Sequence, residues 1–129
     1  MEKIRNNHPD IAPSGSTFSR SVKVGNLLFV AGCTARGTDA QGQSMTEQLR
    51  VTLDRIAGIV RAEGGAPSDI VKITTFVTSV PAWQEQREAQ EALFAECFGG
   101  QYPASTLVEI TALAEPGLDV EIEAIAEIS

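Results

Sequence analysis

Residues 117–129 read GLDVEIEAIAEIS, a stretch in which acidic and apolar side chains alternate. This alternation predicts a strand that has one apolar face and one acidic face. Glu121, Glu123 and Glu127 share one alternation register, and the other register is wholly apolar: Val120, Ile122, Ala124, Ala126 and Ile128. Because successive side chains of a strand point to opposite faces of its sheet, we predict a strand with one face in the core and carboxylates on the other. The rest of the sequence must indicate what covers that second face.

The length and composition indicate one compact domain spanning residues 1–129, large enough to have its own hydrophobic core. Apolar residues make up 43% of the chain, and no apolar run approaches the ~20 residues that a bilayer crossing needs. The opening MEKIRNNHPD lacks the apolar segment of a secretion signal. Cys33 and Cys97 have neither disulfide-framework nor metal-ligand spacing. We therefore expect a cytoplasmic protein with no membrane partner and no metal.

The charge distribution excludes one class of partner. Ten Lys and Arg against seventeen Asp and Glu give a net charge of -7, and the basic residues form no cluster that would neutralise a phosphate backbone. We expect no nucleic-acid partner. A small anionic substrate stays open, because one Arg in a pocket outweighs distant acids that are screened over about 8 to 10 Å. No glycine-rich phosphate loop, paired His or G-x-S-x-G turn is present, so no cofactor is implied.

The first half of the chain predicts a hairpin followed by a helix. In SVKVGNLLFVAG, residues 21–32, two apolar runs flank Gly25 and Asn26, a pair that supplies the positive φ angles of a tight hairpin turn. Ser44 and Glu47 then have the spacing of a capping box. After them, apolar side chains recur on one helical face: Leu49, Leu53, Ile56 and Val60. We expect this helix to end at Gly64-Gly65.

The second half predicts three strands and one helix. DIVKITTFVTSV, residues 69–80, is rich in β-branched residues and is typical of a central strand. Pro81 suits the start of a second helix that runs to Phe98. YPASTLVEITAL and LDVEIEAIAEI predict two further strands, joined at Glu115-Pro116-Gly117. The predicted order is ββαβαββ, an α+β fold with a mixed β-sheet and two helices packed on one face.

Two helices cover only one face of such a sheet, which answers the opening question. The uncovered registers carry apolar side chains beside the acids: Thr74, Phe76, Ile125 and Leu107 or Val108. This mixture is too apolar to face water alone. We therefore predict self-association through the uncovered face, with carboxylates of the last strand near the seam. Clefts between subunits are common ligand sites, and we expect a small-molecule site there.

Several segments together resemble one family. FSRSVKVGNLLFVAG (18–32), the capped helix, the DIVKITTFV strand, YPASTLVEI (102–110) and VEIEAIA (120–126) are similar to the RidA/YjgF family over nearly the whole chain. Older names for that family are translation inhibitor and endoribonuclease. The resemblance implies a chorismate mutase-like fold, a homotrimer with sites between subunits, and hydrolysis of reactive enamines and imines without a metal or cofactor. The acidic composition gives no support to the ribonuclease name.

At two positions the sequence departs from the family pattern. Ser105 stands where deaminating members have an Arg that binds the substrate carboxylate through two hydrogen bonds. Phe18 keeps the ring of a family Tyr and lacks its hydroxyl. Glu121 corresponds to the Glu that holds the attacking water, although a purely structural acid at the seam is the alternative. Near Leu107 a backbone carbonyl remains available to the substrate.

Arg20 and Arg36 are candidates to replace the missing Arg, and the alternative is that each is a solvated surface residue. Cys33 follows the hairpin strand where the resemblance places the pocket, so it is a candidate nucleophile. A nucleophilic thiol needs a nearby His, cation or helix N-terminus, and the one His is His8 in the N-terminal segment. A buried inert thiol is the alternative for Cys33.

The candidate catalytic residues are therefore Glu121 and Cys33. The candidate substrate-binding residues are Phe18, Arg20, Gly32, Thr34, Arg36, Ser105, Thr106 and Leu107. The predicted function is hydrolytic deamination of a reactive enamine, imine or related metabolite, the chemistry of metabolite-damage repair. A trimer that binds or senses a metabolite without turnover, or that acts as a chaperone, is the alternative.

Overall fold

A computed structural model describes all residues, 1–129. It contains six strands, which are β1 (Lys3–Asn6), β2 (Ser21–Val24), β3 (Leu27–Cys33), β4 (Ile70–Val77), β5 (Ala104–Glu109) and β6 (Val120–Glu127). Three α-helices, α1 (Met45–Ala62), α2 (Val80–Glu85) and α3 (Arg87–Phe98), and a short 3-10 helix at Pro67–Asp69 complete the fold. The strands form one sheet in the order β1-β2-β3-β6-β4-β5, in which β4 and β5 are the parallel pair. The predicted α+β class with a mixed sheet is confirmed.

The predicted hairpin and first helix are confirmed. The hairpin turns at Gly25, whose φ of +57° lies in the left-handed region that favours glycine. Helix α1 begins where Ser44 caps it by accepting a hydrogen bond from the backbone N–H of Glu47 at 3.2 Å. Its apolar face is buried against β3 and β6, and the four predicted core residues Leu49, Leu53, Ile56 and Val60 all lie in the core. None of the three helices has the length and apolarity required to span a bilayer.

Two features differ from the predicted order. The edge strand β1 pairs antiparallel with β2, but its sequence KIRN has a single apolar residue and therefore no alternation that predicts a strand. The predicted second helix is interrupted at Gln86, where φ is −103°. There the side chain of buried Gln90 donates a hydrogen bond to the carbonyl of Trp83. Because no Gly or Pro stands at the interruption, the sequence pattern there is that of one continuous helix.

Strand β6 has the two faces that its alternation predicts. Its apolar register is at most 4% exposed and packs under α1. The opposite register carries Glu121, Glu123 and Glu127. β6 lies between β3 and β4, so its carboxylates stand in the middle of the sheet rather than at an edge. The strand that decides the fold therefore places acids at the centre of the uncovered face.

No helix of this chain covers that face. Ile125 of β6 pairs with Phe29 of β3, and Phe29 pairs with Val22 of β2, which makes an apolar row across three strands. Phe29 is 40% exposed although it stands on a central strand. Of the two alternatives on β5, Val108 pairs with the open-face residue Phe76. Leu107 belongs to the opposite, helix-covered side. The uncovered face therefore carries partly exposed apolar side chains beside its carboxylates.

Candidate functional site

A pocket of about 300 Å³ opens beside the start of β6. Six of the predicted site residues line it: Phe18, Arg20, Gly32, Thr34, Arg36 and Glu121. A β-bulge brings them together, because the pairing of β3 with β6 shifts between Val30 and Cys33. Pairing resumes at Cys33, which stands opposite Ile122, and Gly32 within the bulge lies beside Glu121. One chain thus assembles most of the predicted site from segments far apart in sequence.

The carboxylate of Glu121 lies against the backbone of Gly32. A Cβ built on Gly32 would lie 2.6 Å from Oε2 of Glu121, closer than atoms in contact allow. Burial raises the pKa of Glu121, nearby Glu123 raises it further, and the positive charge of Arg20 lowers it. None of the three ion pairs in the structure includes Glu121. Its oxygens are therefore available to accept hydrogen bonds from water or from a ligand.

Arg20 is a buried residue of this pocket, and the solvated-surface alternative is wrong for it. Its side chain is only 6% exposed. Nη1 donates to the sulfur of Cys33 at 3.2 Å, and Nη2 donates to the carbonyl of Gly32 at 3.0 Å. The guanidinium lies over the ring of Phe18, with Cζ 4.8 Å from the ring centroid. Its Nε is buried and has no hydrogen-bond partner.

Cys33 is buried in the core and does not line the pocket. Burial raises the pKa of its thiol to about 11, although Arg20 and Arg55 lower it. The imidazole of His8 is no activating base for it, because Nε2 lies 2.9 Å from Glu63 and 3.4 Å from the hydroxyl of Ser21. A thiol with this pKa is protonated at neutral pH. The structure therefore favours the buried inert thiol over the nucleophile.

Two further arginines line the pocket. Arg36, a predicted candidate, is half-exposed and pairs with Glu115 at 2.7 Å. Arg55 is a residue that the sequence analysis missed: it comes from α1, and its Nη1 donates to the carbonyl of Thr34 at 2.6 Å. Burial lowers the pKa of Arg55, and the nearby charges of Arg20 and Arg36 lower it further. Helical spacing could have indicated that Arg55 is partly buried, because it lies on the same face of α1 as three buried residues: Gln48, Thr52 and Ile59.

The loop before β6 is fixed by Gln48, which is fully buried. Its amide exchanges two hydrogen bonds with Asp119, from Nε2 to Oδ2 at 3.1 Å and from the backbone N–H of Asp119 to Oε1 at 2.8 Å. A further bond runs from Nε2 to the carbonyl of Gly117 at 3.0 Å. The start of β6, and with it Glu121, is thereby held to α1, which also carries Arg55.

Within one chain, Ser105, Thr106 and Leu107 do not reach this pocket. They belong to β5, the far edge strand, which β4 separates from β6. Ser105 and Leu107 line a second hollow of about 310 Å³, whose aromatic residues are Trp83, Phe94 and Tyr102. Thr106 points to the uncovered face, where its hydroxyl accepts a hydrogen bond from Nζ of Lys72 at 2.6 Å. The predicted residues thus divide into two groups, one at the end of β3 and the start of β6 and the other on the edge strand β5.

Comparison with known proteins places the chain in a family. The family model described as endoribonuclease L-PSP matches residues 10–128. A RutC family protein of Pyrococcus horikoshii is 33% identical over 113 residues, which cover 84% of this chain and 85% of the relative. The 2-iminobutanoate/2-iminopropanoate deaminase of Escherichia coli is 32% identical over 111 residues, which cover 84% of this chain and 85% of the enzyme.

A solved structure gives the same result. The crystal structure of a YjgF/YER057c/UK114 family protein from Mycobacterium tuberculosis matches with a TM-score of 0.79 and 33% identity, covering 98% of this chain and 100% of the other. This match confirms the chorismate mutase-like fold that the sequence resemblance implies. The chain belongs to the endoribonuclease L-PSP family, which is also called the RidA/YjgF family.

Proposed function

We propose that this protein hydrolyses the C–N bond of a small enamine or imine and releases ammonia. The observation that carries the proposal is Glu121, a partly buried carboxylate with a raised pKa and no ion-pair partner, at the wall of a pocket of about 300 Å³. A carboxylate in this setting is suited to orient a water molecule and to accept its proton. The name of the Escherichia coli relative, 2-iminobutanoate/2-iminopropanoate deaminase, supports the same reaction class.

The proposed reaction needs one base and no cofactor. The water oxygen forms a bond to the imine carbon while Glu121 takes a proton from the water, and the C=N electron pair moves onto nitrogen. The nitrogen takes up a proton from solvent, which gives a carbinolamine. Expulsion of ammonia from this intermediate, with loss of the hydroxyl proton to solvent, then leaves a C=O group. The carboxylate of Glu121 can return its proton to the departing nitrogen, so it ends the cycle ionised.

The site is completed, in this proposal, by a homotrimer that closes the uncovered sheet face. The apolar row containing Phe29 and Ile125 supports this assembly, because it lies on the side of the sheet that the helices leave open. At each seam, the edge strand β5 of a neighbouring copy would lie beside the pocket and so bring residues 105–107 next to it. A cytoplasmic location suits a chain whose two cysteines are both free.

The test is ammonia release from 2-aminoacrylate that a pyridoxal-phosphate dehydratase generates in the assay. Wild-type protein is expected to accelerate release above the spontaneous rate. Glu121→Gln keeps the shape of the side chain and removes the base, so kcat is expected to fall by about 10²- to 10⁴-fold. Glu127→Gln, on the same strand but outside the pocket, is the matched control and is expected to stay active. Wild-type protein no faster than the uncatalysed reaction, on this and on bulkier imines, would refute the proposal.

A second candidate function is capture of a metabolite without turnover. It is favoured by Ser105 and Phe18, which stand in place of an Arg and a Tyr of the deaminating members. In that case the protein would bind a small keto or imino acid in the pocket and would leave the rate of ammonia release unchanged in the same assay.

A further inference from the structure

The proposed function leaves the anionic end of the substrate without a receptor, because Ser105 cannot form the two charged hydrogen bonds that an Arg forms. We propose that Arg55 is the anion receptor of this pocket and that the ligand is a small monocarboxylate. The proposal rests on the proposed function for the identity of the site. The proposed substrate-binding residue lies on helix α1, whereas Ser105 lies on strand β5.

The geometry of Arg55 favours this role. Its Nη1 donates a hydrogen bond to the carbonyl of Thr34 at 2.6 Å, which anchors the guanidinium at the pocket wall. Nε and Nη2 have no hydrogen-bond partner in the chain, and in a guanidinium these two nitrogens present parallel N–H groups along one edge. That edge matches the two oxygens of a carboxylate. Arg55 is thus oriented by the protein and still has a free two-donor edge.

The other two arginines are less suited to the task. Arg36 is half-exposed and already pairs with Glu115 at 2.7 Å. Arg20 is 6% exposed, and its two terminal nitrogens already donate hydrogen bonds to the Cys33 sulfur and the Gly32 carbonyl. Its remaining donor, Nε, is buried without a partner, and none of the three ion pairs includes Arg20. Arg20 therefore supplies positive potential beneath the pocket rather than a contact edge.

The charge balance indicates how many negative groups the ligand carries. The lining contains three arginines and one acid, Glu121, in a protein whose net charge is -7. Glu115 neutralises Arg36, and Glu121 offsets Arg20, which leaves the charge of Arg55 uncompensated. One anionic group on the ligand restores neutrality. A pocket of about 300 Å³ limits that ligand to a small metabolite.

The experiment measures binding, so that it does not depend on turnover. The probe is 2-oxobutanoate, a stable monocarboxylate, titrated into the full-length protein by isothermal calorimetry. Arg55→Met is expected to weaken binding by at least about 10-fold, the effect of losing charged hydrogen bonds. Arg50→Met changes an exposed Arg of the same helix and is expected to bind like wild type. The uncharged 2-oxobutanamide is expected to bind weakly and equally to wild type and Arg55→Met.

The melting temperature of each variant separates a lost contact from a lost fold. If Arg55→Met proves unstable, Arg55→Lys is the second variant, since it keeps the charge, loses the two-donor edge and should bind with intermediate affinity. Equal affinity of wild type and folded Arg55→Met for 2-oxobutanoate would overturn the inference, and so would no binding by wild type. Arg55-dependent binding without ammonia release would support the inference and refute the deaminase proposal, so the two failures are distinguishable.

Discussion

The guanidinium of Arg20 donates a hydrogen bond from Nη1 to the sulfur of Cys33 at 3.2 Å, and both residues are buried. A weak neutral acceptor thus holds a buried cation in place. The same guanidinium binds the carbonyl of Gly32, the glycine on which the carboxylate of Glu121 rests. A chain of contacts thus runs from Cys33 through Arg20 and Gly32 to Glu121, and we propose that the thiol positions the guanidinium rather than reacts.

This relationship predicts different outcomes for two substitutions of Cys33. In Cys33→Ser the hydroxyl still accepts from Arg20, so ammonia release is expected to stay close to wild type. In Cys33→Ala the donor loses its acceptor in a buried site, which is expected to lower the free energy of unfolding by about 1 to 3 kcal/mol. Denaturant titration and the ammonia assay measure the two effects. A folded but inactive Cys33→Ser would show that the thiol reacts.

Gly32→Ala is expected to damage the site more than the fold. The new Cβ would lie 2.6 Å from Oε2 of Glu121, and the flexible carboxylate can rotate away while the backbone stays in place. We therefore expect a melting temperature near that of wild type and a fall in kcat approaching that of Glu121→Gln. A large loss of stability with unchanged kcat would show that Gly32 is needed for the backbone conformation rather than for the position of Glu121.

The raised pKa of Glu121 predicts how stability depends on pH. In the folded chain burial raises this pKa above its ordinary value of 4.5, so between the two values the folded state binds more protons than the unfolded state. The free energy of unfolding contributed by this group is therefore lost as the pH rises through the folded pKa. Glu121→Gln cannot ionise, so its free energy of unfolding does not include this decrease with pH.

The melting temperature of Glu121→Gln, relative to wild type, is expected to rise as the pH increases above the ordinary carboxyl pKa of 4.5 and to level off once the pH exceeds the folded pKa. Thermal unfolding of both proteins across this pH range is the measurement, with Glu127→Gln as the control on the same strand. A difference that is constant with pH, or that shrinks as the pH rises, would contradict a raised pKa for Glu121.

A charge in the apolar row of the open face is expected to disrupt assembly. Ile125 pairs with Phe29 in the middle of that face, so Ile125→Lys would place an ammonium group in the predicted interface. We expect this variant to sediment as a smaller species than wild type. Ala92→Lys, on the exposed side of α3, is the control and is expected to leave the assembly intact. Unchanged sedimentation of Ile125→Lys would place the contact elsewhere.

Much of the fold followed from local patterns because those patterns report burial directly. The alternation of residues 120–128 predicts both faces of β6. Ser44 predicts the start of α1, and Gly25 predicts the turn of the hairpin. Strand β1 has no such pattern, since it is held by pairing with β2 rather than by a buried face. The interruption at Gln86 depends on a side-chain hydrogen bond from Gln90, which has no sequence signature.

The site was harder to predict than the fold. Six predicted residues do line one pocket, because the family resemblance supplied positions that no periodicity could supply. Arg55 was missed since its charge, on a helix, is typical of a solvated face, and only the buried stripe on either side of it indicates otherwise. Burial of Arg20 and protonation of Cys33 depend on their packing together, which spacing in the sequence does not report.

Closure of the uncovered sheet face by other copies of this chain is the claim on which the cleft and its chemistry depend. Its most direct test is the mass of the native protein at micromolar concentration, measured by native mass spectrometry. A species of three chains, each of 13.7 kDa, is the expected result. A single 13.7 kDa chain as the dominant species would contradict it, because Phe29 and Ile125 would then face water and Ser105 would not meet the pocket.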